Sequence, residues 1–373
     1  MHVPFCVRKC RYCDFVSSPY NNADVELYVK VLPQEARLRA ATLPPAKRLV
    51  ATVFAGGGTP TVLPAPVLAA LLGRVRQFFR WPDGAEVTVE ANPGSVTREG
   101  LDALRRAGVS RISLGMQASQ ERLLALLGRI HRFGDVVASV RLAREAGFNN
   151  LNLDLIYGLP EQSLADWRAT LEAAVALEPE HIAAYGLELV PHTPLAAMVS
   201  EGRVSPCPEE LDREMYDLAR EFLPRHGYVQ YEISNFARPG YACRHNLIYW
   251  RNEDYIGLGP GAHSHIGGKR QANIKDLRAW AARIAKGELP LAEEEWAGIP
   301  VQMAETVFLG LRLLDGLDRG AFYARFGRDV LEVYGAVVER LVARGLVELT
   351  ADRLRLTRMA VPVANEVFAA FLP

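Results

Sequence analysis

Three cysteines lie within eight residues of one another near the start of the chain: Cys6, Cys10 and Cys13. A tight cluster in a large chain indicates metal or redox chemistry, because disulfide-stabilised proteins are usually small and carry paired cysteines. Three thiolates form a soft ligand set that favours zinc, copper(I) or an iron–sulfur cluster. A structural zinc site needs a fourth ligand, which Phe15, two positions beyond Cys13, cannot provide. We therefore predict a four-iron cluster with one iron left open, with an incomplete zinc site as the alternative.

Two further segments carry groups suited to holding a cofactor at the end of a strand. Gly56, Gly57 and Gly58 follow a β-rich run that ends at Ala55. Glycine lets the backbone approach a ligand closely, and α/β proteins place their sites at the carboxyl ends of strands. Glu90 stands near the end of the next run, where a carboxylate can accept hydrogen bonds from a ribose. Each also has a plainer interpretation: the glycines as a turn, and Glu90 as a solvated charge.

The elements that must position these groups follow one repeated pattern from about residue 50 to residue 235. Short runs rich in Val, Ile and Leu alternate with stretches whose apolar residues recur at helical spacing, which indicates parallel strands covered on both faces. The predicted strands are 49–55, 86–91, 111–115, 151–156 and 181–187. The predicted helices between them are 66–79, 98–107, 135–146 and 164–177, two of which end in Ala-Gly, as a left-handed helix terminus would. This pattern predicts an α/β barrel or an open α/β sheet.

The remainder of the chain changes character twice. A further helix is predicted from about residue 208 to 225, and residues 236–300 are predicted to be irregular, with a glycine-rich stretch at 256–261. After residue 301, helices are predicted at 304–314, 319–326 and 331–344, followed by a hairpin at 345–349 and 353–356. Helices followed by a short hairpin indicate a small winged-helix-like module, whose usual association with DNA does not fix a function.

The composition limits the classes of function. The 373 residues include 43 Lys and Arg against 43 Asp and Glu, so the formal net charge is zero. That balance lacks the basic excess of a nucleic-acid-binding protein. The sequence has no run of about 18 apolar residues and does not begin with a charged segment followed by an apolar one. We therefore expect a soluble cytoplasmic protein with no transmembrane segment and no nucleic-acid partner.

The cysteine spacing resembles the signature of radical S-adenosylmethionine enzymes. The surrounding segments are similar to those of the oxygen-independent coproporphyrinogen III dehydrogenase group: HVPFC at 2–6, YCDF at 12–15, GGGTPT at 56–61, EANP at 90–93 and DLIYGLP at 154–160. The resemblance extends over almost the whole chain. It implies a partial (β/α)6-type barrel over residues 1–235, a connector over 236–300 and a HemN-type C-terminal domain over 301–373.

The same resemblance implies cofactors and the residues that hold them. A [4Fe-4S] cluster would be bound by Cys6, Cys10 and Cys13, and S-adenosylmethionine would chelate the open iron. The positions that match the family's S-adenosylmethionine or substrate sites are Tyr12, Gly57, Gly58, Thr59, Glu90, Gln117, Arg129 and Asp154. Without the resemblance, Arg129 would be interpreted as an ordinary surface charge.

Two branches of this group differ in features that the sequence contains. The dehydrogenase branch has a fourth cysteine two residues after the three and an N-terminal extension, and neither is present here. Instead RHNLIYW at 244–250 resembles the H-N-x-x-Y-W motif of the haem-chaperone branch. This implies that His245 binds haem iron, that Tyr249 and Trp250 pack on the porphyrin, and that haem is passed to respiratory haem proteins. His263 and His265 are rival ligands.

Two other functions stay open at this point. One is oxidative decarboxylation of coproporphyrinogen III by a 5′-deoxyadenosyl radical. The other is a zinc-stabilised nucleic-acid-binding protein, which the zero net charge disfavours.

A final expectation concerns the first strand. Relatives carry a tyrosine six residues before the first cysteine, a position that lies outside this chain. Either the natural protein begins upstream of Met1, or it lacks the first strand of the barrel and leaves an unpaired edge.

Overall fold

The computed structural model describes residues 1–372, which contain sixteen strands. They are β1 (His2–Val3), β2 (Phe5–Cys6), β3 (Ser18–Pro19), β4 (Thr52–Gly57), β5 (Glu86–Ala91), β6 (Arg111–Gln117), β7 (Leu151–Tyr157), β8 (His181–Gly186), β9 (Val229–Gln230), β10 (Asn235–Ala237), β11 (His263–Ile266), β12 (Lys269–Asn273), β13 (Leu291–Trp296), β14 (Leu317–Asp318), β15 (Val347–Leu349) and β16 (Arg353–Leu356). Eight of them form the main sheet in the order β1-β4-β5-β6-β7-β8-β10-β9. The pairs from β1 to β8 are parallel, and the last two are antiparallel.

The helices follow the strands in alternation through the first half of the chain. They are α1 (Asn22–Ala41), α2 (Ala65–Arg76), α3 (Arg98–Arg106), α4 (Glu121–Leu126), α5 (Phe133–Glu145), α6 (Leu164–Ala176), α7 (Pro194–Ser200), α8 (Glu209–Arg225), α9 (Arg244–Trp250), α10 (Leu277–Ala285), α11 (Ile299–Gly310), α12 (Arg319–Phe326), α13 (Val330–Ala343) and α14 (Ala364–Ala369). The predicted strand–helix repeat is confirmed, and the predicted glycine terminators Gly108 and Gly147 have positive φ values of 94° and 82°.

The two faces of the main sheet differ in chemistry. Val87 and Val89 of β5 and Leu153 of β7 are buried in one apolar core with helix residues such as Leu171. The alternate residues point to the other side, as the two-residue period of a strand requires. We call this side the polar face, and it carries Glu86, Thr88, Glu90, Arg111, Ser113, Asn152, Asp154 and His181. Both faces are covered, as predicted, but the second is polar because it forms the interior of the partial barrel.

The first strand is present. His2 and Val3 pair in parallel with Gly56 and Gly57, and the backbone N–H of His2 donates a 2.7 Å hydrogen bond to the carbonyl of Leu258. The alternative in which the barrel lacks this strand is therefore wrong, and a loop of the connector covers its outer edge.

The connector is not irregular, contrary to the prediction for residues 236–300. It contains α9, α10 and a three-stranded antiparallel sheet in the order β11-β12-β13. The polar residues of β12 and the three glutamates of β13 hide the strand pattern, because much of this small sheet is exposed to solvent. Glu35 of α1 anchors the connector by accepting hydrogen bonds from Gly259 N (2.7 Å), Asn273 Nδ2 (2.6 Å) and Trp280 Nε1 (3.1 Å).

The C-terminal region has the predicted winged-helix-like form. Helices α11, α12 and α13 pack with a three-stranded sheet in the order β14-β16-β15. Helix α12 begins and ends at the predicted residues. None of the helices within residues 1–372 has both the length and the apolar character to cross a bilayer.

Candidate functional site

The glycine segment after β4 holds the loop that carries the cysteines. The N–H of Gly58 donates to Val3 O at 2.9 Å, and the N–H of Thr59 donates to Phe5 O at 2.7 Å. A Cβ at Gly58 would lie 2.5 Å from Phe5 O, so only glycine fits this close approach. The segment therefore fixes the backbone immediately before Cys6.

An unbroken chain of hydrogen bonds joins two of the three thiols. Thr59 Oγ1 donates to Cys6 Sγ at 3.7 Å and accepts from Asn92 Nδ2 at 2.9 Å. Asn92 Oδ1 accepts from Arg129 Nη2 at 2.5 Å, and Arg129 Nη1 donates to Cys10 Sγ at 3.5 Å. Hydrogen bonds donated to sulfur are one of the means by which proteins set the reduction potential of an iron–sulfur cluster. Arg129 thus contacts the cysteine loop and is not an ordinary surface charge.

The three thiols suit a cluster better than a single ion. Cys6, Cys10 and Cys13 are free and half-buried, and they belong to one short loop. Within residues 1–372, no three His, Cys, Asp or Glu side chains converge as the ligands of one metal ion do. Thiolates of a four-iron cluster bind different irons and need not converge on one point. The donor set and the hydrogen bonds to sulfur therefore fit the predicted cluster.

Gly57 and Glu90 are brought together at the ends of neighbouring strands. The N–H of Gly57 donates to Glu90 Oε2 at 3.0 Å. Gly57 has a φ of 105°, and a Cβ there would lie 2.3 Å from Nδ1 of His2. Burial and, to a smaller extent, the nearby carboxylate of Asp154 raise the pKa of Glu90 to about 7. Glu90 is a half-buried, hydrogen-bonded carboxyl group, not a solvated charge.

The other predicted cofactor residues lie on β6, on β7 and on the cysteine loop. Asp154 accepts hydrogen bonds from Ser113 Oγ and Asn152 Nδ2, each at 2.9 Å, and burial raises its pKa. Gln117 is buried with a left-handed φ of 65°, a conformation that costs an ordinary residue energy and is typical of functional positions. Tyr12 packs against a small apolar cluster, where burial raises its pKa.

His245 lies at the start of α9, in a fully hydrogen-bonded position. Its Nδ1 is 2.7 Å from Thr52 Oγ1, and its Nε2 is 3.0 Å from the hydroxyl of Tyr249. The ring stacks on Phe54, with centroids 5.2 Å apart. Burial lowers its pKa to about 3, so the imidazole is neutral. Glu86 of the polar face caps α9 by accepting from the N–H of His245 at 3.0 Å.

The motif at 244–250 exposes two different faces of α9, each formed by two residues that are four positions apart. His245 and Tyr249 point towards β4. Asn246 and Trp250 point towards Tyr231 and Arg312 instead. Trp250 packs under the guanidinium of Arg312, 4.3 Å from its ring centre. The expectation that Tyr249 and Trp250 pack on the same ligand is therefore wrong, because the helix places them on different sides.

A cavity of about 850 Å³ connects His245 with the strand ends. Its walls include Phe54, Gly57, Glu90, His245 and Tyr249, together with apolar residues such as Val50, Val53 and Ile248. This size and lining are typical of sites for bulky, mostly apolar ligands. Of the rival histidines, His263 lines the cavity and is exposed, whereas His265 is buried beside Glu253 O.

Several contributors lay outside the predicted site. Asn92 belongs to the EANP segment but is not among the predicted site residues, and Ser113, Asn152, His181 and Tyr231 belong to no motif. The alternation of polar and apolar residues in EVTVE at 86–90 is the signal in the sequence that indicates a polar interior.

This combination of a partial α/β barrel and a cysteine loop held at its strand ends defines the radical S-adenosylmethionine class. Residues 1–174 match the Radical SAM superfamily, and residues 300–363 match the HemN C-terminal domain. The structure of coproporphyrinogen III oxidase (HemN) from Escherichia coli superimposes with a TM-score of 0.86 over 99% of this chain and 88% of that chain, at 23% identity. That likeness confirms the predicted fold.

The sequence relatives are more specific. The chain is 37% identical to the heme chaperone HemW of Bacillus subtilis over 100% of its own length and 98% of that protein. It is 34% identical to the heme chaperone HemW of Escherichia coli, over 100% of this chain and 97% of that protein. The chain belongs to the HemW family, as the resemblance at 244–250 predicts.

Proposed function

We propose that this protein binds haem in the cavity beside α9 and transfers it to other haem proteins. The observation that carries the proposal is the position of His245, a neutral imidazole on the wall of a largely apolar cavity of about 850 Å³. Histidine is a common axial ligand of haem iron, and apolar walls suit a porphyrin. The named relatives are heme chaperones, which supports the same role here.

We further propose the cofactors and their ligands. Cys6, Cys10 and Cys13 would hold a [4Fe-4S] cluster, which supplies one-electron chemistry and an open iron for S-adenosylmethionine. The residues proposed to contact S-adenosylmethionine are Tyr12, Gly57, Gly58, Thr59, Glu90, Gln117, Arg129 and Asp154. Glu90 would accept a hydrogen bond from the ribose, and Arg129 would keep Cys10 in position through its donor at 3.5 Å.

The division of labour follows the three segments. The proposed units are the barrel at 1–235, the connector at 236–300 with the haem motif, and the C-terminal domain at 301–373. Respiratory haem proteins are the proposed recipients. Decarboxylation of coproporphyrinogen gains no support from the likeness to the oxidase, because at 23% identity that likeness concerns the fold alone.

A haem titration tests the proposal. The anaerobically reconstituted chain is titrated with haem and followed in the Soret band, in parallel with His245→Ala and His263→Ala, which remove two histidines that line the same cavity. We expect weaker binding and an altered spectrum for His245→Ala alone. Unchanged affinity and spectrum in His245→Ala, with loss in His263→Ala, would assign the iron to the exposed histidine instead.

A further inference from the structure

A continuous line of side-chain hydrogen bonds crosses the polar face from α9 to Asp154. Asn246 Nδ2 donates to the hydroxyl of Tyr231 at 3.4 Å, and that hydroxyl is 2.9 Å from His181 Nε2. His181 Nδ1 is 2.5 Å from Asn152 Oδ1, and Asn152 Nδ2 donates to Asp154 Oδ1 at 2.9 Å. Five side chains from four separate parts of the sequence therefore form one connected path.

The carboxylate at one end fixes the direction of every bond. Asp154 accepts, so the amide nitrogen of Asn152 faces it and the amide oxygen faces His181. His181 must then donate from Nδ1 and accept at Nε2, so Tyr231 donates to it and accepts from Asn246. Burial holds the pKa of His181 well below its usual value, which agrees with a neutral ring carrying one proton. We therefore expect a change in the bonding of Asp154 to alter the hydrogen bond of each partner in turn.

Helix α9 joins the far end of this line to the cavity, because it carries both Asn246 and His245. Asn246 follows His245 directly, and the helix has only seven residues. Its N-terminus is fixed by Glu86, whose two carboxylate oxygens accept from the N–H groups of Arg244 (3.1 Å) and His245 (3.0 Å). We expect a shift of Asn246 to tilt the helix about this cap and so to move the imidazole of His245 relative to Thr52.

We propose that His181 and Tyr231 are positioning residues that couple the Asp154 end of the barrel to the haem motif. Occupation of the S-adenosylmethionine site thereby changes the affinity of the cavity for haem. The coupling is reciprocal, because a ligand that alters the affinity of a second site is altered by it to the same extent. This inference rests on the proposed function, since it joins the two ligand sites named there.

The variant Tyr231→Phe breaks the line without removing the ring. It deletes the hydroxyl that bonds both His181 and Asn246. Tyr216→Phe is the matched control, because the Tyr216 hydroxyl bonds the nearby carbonyl of Ile233 at 2.8 Å but does not belong to the line. Asn246→Ala is a second variant that cuts only the last bond at the half-buried surface of α9.

The first measurement is the ratio of haem dissociation constants with and without saturating S-adenosylmethionine. We expect a ratio that differs from one by about five-fold or more in the reconstituted wild type and in Tyr216→Phe, within the usual range of coupling. We expect a ratio near one in Tyr231→Phe and Asn246→Ala. Wild-type coupling that persists in both of these variants overturns the inference, as does a wild-type ratio of one, while the haem site itself stands.

The second measurement needs no haem. Amide hydrogen exchange over residues 244–250 is recorded before and after addition of S-adenosylmethionine alone. Exchange should slow or quicken in the wild type and in Tyr216→Phe, and should stay unchanged in Tyr231→Phe. Failure of the wild type to bind haem would refute the proposed function, whereas an α9 that does not respond to S-adenosylmethionine would refute the coupling.

Discussion

Removal of the Tyr249 hydroxyl should strengthen haem binding. That hydroxyl occupies Nε2 of His245 at 3.0 Å, on the ring nitrogen that we expect to bind iron. Iron can reach Nε2 only when this hydrogen bond is broken. A protein hydrogen bond is worth about 1 kcal/mol net. Since about 1.4 kcal/mol corresponds to a factor of ten, Tyr249→Phe should lower the haem dissociation constant roughly five-fold.

The other ring nitrogen of His245, Nδ1, allows a matched comparison of haem affinity. Thr52 Oγ1 lies 2.7 Å from Nδ1 and fixes the orientation of the ring. Loss of such an outer partner typically costs about ten- to a hundred-fold in metal affinity, so Thr52→Val should weaken haem binding. Both constants come from Soret titrations of reconstituted protein under identical conditions. Weaker binding in Tyr249→Phe with tighter binding in Thr52→Val would show that iron takes Nδ1 instead and would refute the assignment.

Three further outcomes are expected. Cys10→Ala should abolish the four-iron signal in EPR and in iron and sulfide analysis, with an unchanged far-UV spectrum; a retained signal would contradict the ligand set. Gly58→Ala should also reduce cluster loading, because its Cβ would meet Phe5 O at 2.5 Å and displace the loop; full loading would show that the loop tolerates the shift. Burial raises the pKa of Glu35 to about 7 from 4.5, so the folded state holds this proton more tightly and stability should fall as pH rises from 4.5 to 7. Glu35→Gln should reduce that fall by about 3 kcal/mol in denaturant titrations at pH 4.5 and pH 8; an unchanged slope would mean that the carboxyl group is ionised throughout.

The sequence alone predicts much of the barrel, because its signals are local. Residues 86–91 form a strand with the predicted ends, since alternating valines are flanked by turn residues. The longest helix, α1, is not predicted, because Pro33 lies inside it and its apolar residues do not follow a clear stripe. The connector is predicted to be irregular, because its strands are short and rich in charged side chains.

The candidate site likewise has parts that the sequence predicts and parts that it does not. The cysteine spacing and the motif at 244–250 are contiguous, so they could be recognised before the fold was known. The partners that hold these groups are dispersed: Asn92 reaches Arg129 across 37 positions, and His181 reaches Tyr231 across 50. Whether such distant residues meet depends on the register between strands, which no local sequence pattern determines. The different directions of Tyr249 and Trp250 likewise follow only once α9 is placed between β4 and Arg312.

We propose that haem iron binds His245 in a cavity shared with Glu90, close to a cluster on the three-cysteine loop. One anomalous difference map tests both positions, if crystals of the reconstituted, haem-loaded protein are measured at the iron absorption edge. We expect compact four-iron density in contact with Cys6, Cys10 and Cys13, and a single separate iron peak beside the imidazole of His245. A single peak beside His263, or no density at the cysteine loop, would contradict it.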